Sequence, residues 1–232
     1  MGHRWAIADI HGCMTPFRTL VEEKIILTIK DTLYLLGDYI DRGPNSKAVV
    51  DYILKLQAEG FTVVPLMGNH EYMLLMGLMT TQDWELWMKN QGMTTLRDFG
   101  IDPINFPGPK SVYQIPFRYL EFFQHLPFYI QTEDFFLVHA GLNAQEEHPL
   151  EDLTSMIWIR EEGYPSAFLR GRRLIHGHTP IPLQEIRRRI DDPSCLILNI
   201  DGGCVFNYQQ GLGNLVAFNL DTGQCLNVAN HE

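Results

Sequence analysis

Three short apolar runs in the first third of the chain each stop at a turn of carboxylate, imidazole or amide side chains. Arg4-Trp5-Ala6-Ile7-Ala8 leads into Asp9-Ile10-His11-Gly12, and Leu33-Tyr34-Leu35-Leu36 into Gly37-Asp38-Tyr39-Ile40-Asp41-Arg42-Gly43. Phe61-Thr62-Val63-Val64-Pro65-Leu66-Met67 leads into Gly68-Asn69-His70-Glu71. A near-continuous apolar run is the pattern of a parallel strand buried on both faces, and ligands of open α/β sheets collect beyond the carboxyl ends of such strands. The layout predicts an α/β fold with a site at its strand ends. Asp9 and His11, two apart in an extended segment, fall on one face and can share a ligand.

The connections fit this reading. Ser46 is placed to cap a helix whose buried side is Val49, Val50, Ile53, Leu54 and Leu56 and which Gly60 stops, the return leg of a β-α-β unit. Pro16 to Glu23 has helical spacing as well. Later, Phe135-Phe136-Leu137-Val138 ends in His139-Ala140-Gly141, Arg173-Leu174-Ile175-His176 ends in Gly177-His178-Thr179, and Cys195 to Ile200 ends in Asp201-Gly202-Gly203. Asn214 to Asn219 and Gln224 to Val228 read as closing antiparallel strands. From Tyr72 to about Glu133 the spacing of Met, Trp and Phe is helical, broken by Gly100, Pro103, Pro107 and Pro109. Residues 1-232 thus read as a single domain with a helical insert at about 72-133, in which Met73, Met76, Trp84, Trp87 and Phe122 are packing side chains.

Composition narrows the function classes. A net charge of -10 gives no sign of a nucleic-acid or acidic-membrane partner, and part of that acidity is available for metal ligands. No apolar stretch approaches the roughly 20 residues that cross a bilayer, so no membrane partner is expected. Cys13, Cys195, Cys204 and Cys225 form no C-x-x-C pair, and no basic-then-apolar leader opens the chain, which points to a reduced, cytoplasmic protein.

Asp9, His11, Asp38, Asn69, His139 and His178 form a set of carboxylates, imidazoles and an amide with no thiolate. That set suits two divalent ions such as Mn, Fe or Zn, with Mn preferred. Two dications a few ångströms apart repel by on the order of 20 kcal/mol at an effective dielectric near 20, so an anionic bridge is needed, and Asp38 is central enough to supply it. Two dications carry about four charges, of which Asp9, Asp38 and a bridging hydroxide cancel about three, so the site stays positive and attracts phosphate. Arg42 adds a guanidinium fork for phosphate oxygens. His70 is placed to protonate a leaving oxygen, with Asp41 orienting its ring.

The ordered series Asp9-Ile10-His11-Gly12, Gly37 to Gly43, Gly68-Asn69-His70-Glu71, His139-Ala140-Gly141 and Gly177-His178-Thr179 resembles the metallophosphoesterase superfamily. Within it, the series is similar to the bacterial and phage phosphoprotein phosphatase branch, to which the diadenosine tetraphosphatases are related. The resemblance implies a four-layer αββα fold, a central β-sandwich flanked by helices. It implies that Asp9 and His11 hold one metal, Asp38 bridges, and Asn69, His139 and His178 hold the other. Asp41 with His70 would form the acid pair, Arg42 would grip phosphate with Asn69 beside it, and Arg160 in Trp158-Ile159-Arg160 would add a second guanidinium. Ala8 departs from the Gly or Ser of many members, a small backbone change.

The expected activity is hydrolysis of phosphoserine or phosphothreonine in proteins by metal-activated hydroxide, with phosphotyrosine left open. Its partner would be a phosphorylated protein or a small phosphoester. A first alternative is hydrolysis of diadenosine tetraphosphate or another nucleotide anhydride. A second is a phosphate-binding module without turnover. Glu71 leans toward the phosphatase branch, and the chain is short for the tetraphosphatase branch. The segments 72-133 and 184-194 match no pattern and would set the substrate. His176 is expected to be a packed, satisfied histidine, and Arg170, Arg172, Arg173 and Arg187 to Arg189 a solvated face.

Overall fold

A computed structural model describes residues 2–160, 163 and 165–232. The apolar runs form strands in two sheets. Strands β1 (Arg4–Ile7), β2 (Thr32–Leu35) and β3 (Thr62–Pro65) are mutually parallel, and β8 (Asn214–Asn219) and β9 (Cys225–Ala229) close the sheet antiparallel, in the order β3-β2-β1-β8-β9. The second sheet has the order β4-β5-β6-β7, from β4 (Tyr129–Gln131), β5 (Phe135–Val138), β6 (Arg173–His176) and β7 (Ile197–Asn199). There β5, β6 and β7 are parallel and β4 is antiparallel at the edge.

Alternation along the strands builds the layers. Ala6, Phe135, Leu137, Ile175, Leu198, Val216 and Phe218 meet in a buried cluster between the two sheets. Trp5, Ile7, Leu33, Leu35 and Val63 point the other way, against the buried faces of α1 (Met14–Thr19) and α2 (Ser46–Ala58). Phe136, Val138 and Leu174 point outward from the second sheet, against Met156 of α7 (Leu153–Trp158) and Leu169 of α8 (Ser166–Leu169). Side chains on opposite faces at period 2 thus give helix, sheet, sheet, helix, the expected αββα fold.

Two local expectations are corrected. Ser46 is the first helical residue of α2 and Asn45 is its N-cap; the Ser46 hydroxyl instead accepts the backbone N–H of Asp41 at 3.0 Å. The helical insert expected at about 72-133 holds most of α3 (Asn69–Met76), then α4 (Thr81–Lys89), α5 (Gly92–Asp98), a 3-10 turn at Gly108–Gln114 and α6 (Phe117–Gln124), but it ends in the strand β4. Three residues at a sheet edge are too few to show a period. The last helix, α9 (Leu183–Asp191), exposes Arg187 and Arg188 and half-buries Arg189, and Arg188 and Arg189 pair with Glu185.

Within each sheet the parallel strands point their carboxyl ends the same way. Asp9 and His11 follow β1, Asp38, Asp41 and Arg42 follow β2, Asn69 and His70 follow β3, His139 follows β5, and His178 follows β6. Among the described residues no helix is long and apolar enough to cross a membrane.

Candidate metal centre and acid pair

The strand-end loops contain left-handed backbone. Among the described residues, five of the eight non-glycine residues with positive φ are candidate site residues: His11 (47°), Asp38 (55°), Asp41 (69°), Arg42 (66°) and His178 (71°). Left-handed backbone is uncommon outside glycine and concentrates at functional sites. Glycine supplies the clearance between loops. A Cβ on Gly68 would collide with the backbone N and carboxylate of Asp38, and one on Gly177 with the carboxylate of Asp9. Ala8 also lies against Gly177, which is why the extra methyl at that position is accommodated.

Asp38 is buried at the centre, as its place in the sequence suggests. One carboxylate oxygen lies 3.4 Å from His11 Nε2 and 4.0 Å from His70 Nε2, the other 3.5 Å from His139 Nε2. Burial pushes its pKa up, but the imidazoles of His139, His70 and His11 outweigh burial and hold the carboxyl well below the usual range. It is therefore an anion shared between two histidine groups. Possible ligand atoms of His11, Asp38 and His70 lie within 4.8 Å of one another, as do those of Asp38, His139 and His178.

The histidines present lone pairs to this centre. His11 Nδ1–H donates to the Ile40 carbonyl at 2.8 Å and His139 Nδ1–H to the Leu36 carbonyl at 2.8 Å, which turns both Nε2 atoms toward the centre. Burial, and then the Arg42 charge, push His11 well below its ordinary pKa. Burial, with His139 next, pulls His178 down to about 3. His139 Nε2, Asn69 Oδ1 and His178 Nδ1 converge, at 3.0, 3.2 and 2.9 Å for the three pairs. Imidazoles, an amide oxygen and an ionised carboxylate crowded together are a donor set that a divalent cation satisfies.

Asp9 is close by but turned differently. Both its oxygens accept the backbone N–H of His178, at 3.0 and 3.2 Å, and it stands outside the two tight groups. Burial and the Asp38 charge raise its pKa, against a downward pull from His139. Arg42 donates to His11 Nε2 at 2.5 Å, and its guanidinium carbon lies 5.4 Å from the centre of the Phe206 ring. Arg160 is exposed at the rim, near enough for its charge to help lower His178. His176 is buried and bonded to the Gly177 carbonyl, a packed side chain as expected.

His70 and Asp41 are fully buried and joined at 2.7 Å through His70 Nδ1 and Asp41 Oδ2. His70 Nε2 is buried without a hydrogen-bond partner. An imidazole held from behind by a carboxylate, with its other nitrogen bare, is the arrangement a proton donor needs.

Four residues beside the site escaped the sequence reading of roles. Glu71 accepts the backbone N–H groups of Asp38, Tyr39, Ile40 and Gly68 at 2.9, 2.7, 3.3 and 3.2 Å. Asp201, at the end of β7, gives one oxygen to Gly203 N–H and leaves the other buried without a partner, and burial together with Asp9 pushes its pKa well up. Trp87 and Thr95, read as insert packing and not read at all, both reach Asp41. A carboxylate in a first helical turn and a polar group at a strand end were the available signals for Glu71 and Asp201.

An αββα sandwich whose strand-end loops gather a shared carboxylate, imidazoles and a buried acid pair defines a class, the metal-dependent phosphoesterases. The family described as calcineurin-like phosphoesterase matches residues 3–206, and the chain belongs to that family. Among curated relatives, the symmetrical bis(5'-nucleosyl)-tetraphosphatase of Acidovorax ebreus is 30% identical over 145 residues, covering 61% of this chain and 44% of the relative. That of Cellvibrio japonicus is 38% identical over 71 residues, covering 31% and 25%. The chain therefore matches less than half the length of either. A crystal structure provisionally described as a diadenosine tetraphosphatase superposes with a TM-score of 0.68 at 21% identity, covering 99% of this chain and 94% of that one. A Saccharomyces cerevisiae protein serine/threonine phosphatase superposes with a TM-score of 0.66 at 13% identity, covering 100% and 80%. Both structural likenesses show the fold.

Proposed function

We propose that the chain is a two-metal phosphohydrolase whose substrates are nucleotide phosphoanhydrides of the dinucleoside tetraphosphate class. The observation that carries the substrate is sequence kinship with the tetraphosphatases of Acidovorax and Cellvibrio, which reverses the order expected from motifs alone. The rim supports it. Phe206 lies under Arg42, and Tyr208, 76% exposed, contacts Phe206 with ring centroids 6.2 Å apart. Two aromatic rings set edge to face, at 78°, beside a phosphate-seeking guanidinium offer an apolar contact for a nucleobase on a phosphate chain.

Asp9, His11, Asp38, Asn69, His139 and His178 would hold the metals, with Mn first and Fe or Zn as alternatives. Such ions, when bound, lower the pKa of water and stabilise phosphoryl charge. The remaining steps belong to the chain's own residues. Arg42 grips the phosphate oxygens, Asn69 stands beside them, and Arg160 meets the substrate at the rim. His70 Nε2 hands its proton to the departing oxygen while Asp41 holds Nδ1–H.

The second reading is a protein phosphatase, and the buried His70–Asp41 pair favours it, because a poor alkoxide leaving group needs an acid more than a phosphate does. Parallel turnover of diadenosine tetraphosphate and a phosphothreonine peptide with added Mn separates the two, using wild type and Asp38→Asn. Nucleotide turnover is expected to dominate and to vanish in the variant. Dominant peptide turnover would hand the function to the second reading, and activity surviving in Asp38→Asn would overturn the metal centre.

A further inference from the structure

The Asp41 carboxylate is held by more than His70. Trp87 Nε1–H donates to Oδ2 at 2.8 Å, the oxygen that also takes His70 Nδ1–H at 2.7 Å, and the Thr95 hydroxyl donates to Oδ1 at 2.5 Å. Thr95 Oγ1 in turn accepts the Asp41 backbone N–H at 2.9 Å, so one hydroxyl closes a ring on the residue. Trp87, Thr95, Asp41 and His70 are all fully buried. Trp87 is on α4 and Thr95 on α5, and Gly92 between them lies flat on the indole, where a Cβ would overlap the ring. The close contact of the two helices thus brings both donors to one carboxylate.

We infer that Trp87 and Thr95 are positioning residues for the His70 proton donor, acting through Asp41. The inference rests on the reading of His70 as acid. A carboxylate on left-handed backbone, φ 69°, can rotate about its last bond unless both oxygens are fixed. Three donors fix them, and the fixed Oδ2 sets the plane of the His70 ring. His70 Nε2 has no hydrogen-bond partner, so the hydrogen bond that aims the ring is the one at Nδ1, with the His11 ring packed edge-on beside it. Trp87 and Thr95 touch neither the substrate-facing nitrogen nor any of the six candidate metal ligands in the hydrogen bonds described, so their loss is felt through the acid pair.

The test compares leaving groups on the Mn-loaded protein, using an alkyl phosphate and p-nitrophenyl phosphate, with His70→Asn as the reference. Thr95→Val keeps the shape and removes the hydroxyl, Thr95→Ser restores it, and Trp87→Phe removes the indole donor. We expect kcat for the alkyl ester to fall about 10-fold in Thr95→Val and Trp87→Phe, a partial loss of general-acid assistance, while the aryl ester changes less than about 2-fold and KM holds for both. Thr95→Ser should recover. A second readout needs no metal: the downfield Nδ1–H proton resonance, identified by its absence in His70→Asn, should broaden in Thr95→Val and return in Thr95→Ser. If His70→Asn itself shows no leaving-group bias, the acid reading fails and takes the inference with it. If His70→Asn shows the bias and Thr95→Val matches wild type in both readouts, only the inference is overturned, and should Trp87→Phe not fold, the Thr95 pair decides alone.

Discussion

Five residues of the candidate centre and its acid pair carry a local backbone cost, and the site exists because neighbours hold them there. His11, Asp38, Asp41, Arg42 and His178 all sit at φ between 47° and 71°, where a non-glycine side chain costs about 1–3 kcal/mol. His178 adds a desolvation cost, since burial pulls its pKa to about 3. Between pH 6.5 and about 3 the unfolded chain therefore binds a proton that the folded chain refuses, so this histidine makes stability fall as pH falls. One such group contributes a slope of about 1.4 kcal/mol per pH unit. Urea unfolding of the chelator-treated protein at pH 6.5 and pH 5 should show His178→Asn losing about 2 kcal/mol less than wild type across that interval. Equal losses in the two proteins would mean that the imidazole is not shielded as its burial requires.

At the scale of the element, the organising contact is made by the first turn of α3. Glu71 is the third residue of that helix, and its carboxylate closes the helix start on Gly68 while taking three N–H groups from the loop after β2. One side chain thereby fixes two strand-end loops against each other. In Glu71→Gln an amide N–H must face backbone N–H groups, leaving buried donors unpaired at about 1–3 kcal/mol. A melting temperature lower by roughly 5 °C is expected, measured by circular dichroism on the metal-free chain; an unchanged melt would show that the loops stand without it. The strand ends were legible because parallel strands buried on both faces leave long apolar runs that stop abruptly at polar turns. Hydrogen-bonding partners across the chain were not, since nothing local marks Trp87 as a donor to Asp41 46 positions away, or Ser46 as serving Asp41 rather than its own helix. β4 escaped for a different reason: three half-buried or exposed residues at an edge carry no alternation to read.

For the whole molecule, the two sheets meet at the site. Asp9, His11, Asp38 and Asn69 come from loops of the five-stranded sheet, His139 and His178 from the four-stranded one. Protein contacts already cross this seam, with His139 Nδ1–H on the Leu36 carbonyl and the His178 N–H on Asp9. Cations bound between Asp38 and the two histidines would add a clamp across the sandwich, so metal affinity becomes folding stability. At a metal concentration about 100 times the dissociation constant the gain is about 2.7 kcal/mol per site, or roughly 5–10 °C in a chain of this size. Scanning calorimetry with Mn titrated into the chelator-treated protein should show that rise, and Asp38→Asn should lose most of it because the one carboxylate shared by both histidine groups is gone. A melting temperature indifferent to Mn, or a rise of equal size in Asp38→Asn, would place the ions elsewhere and leave the strand-end cluster a polar core rather than a metal centre.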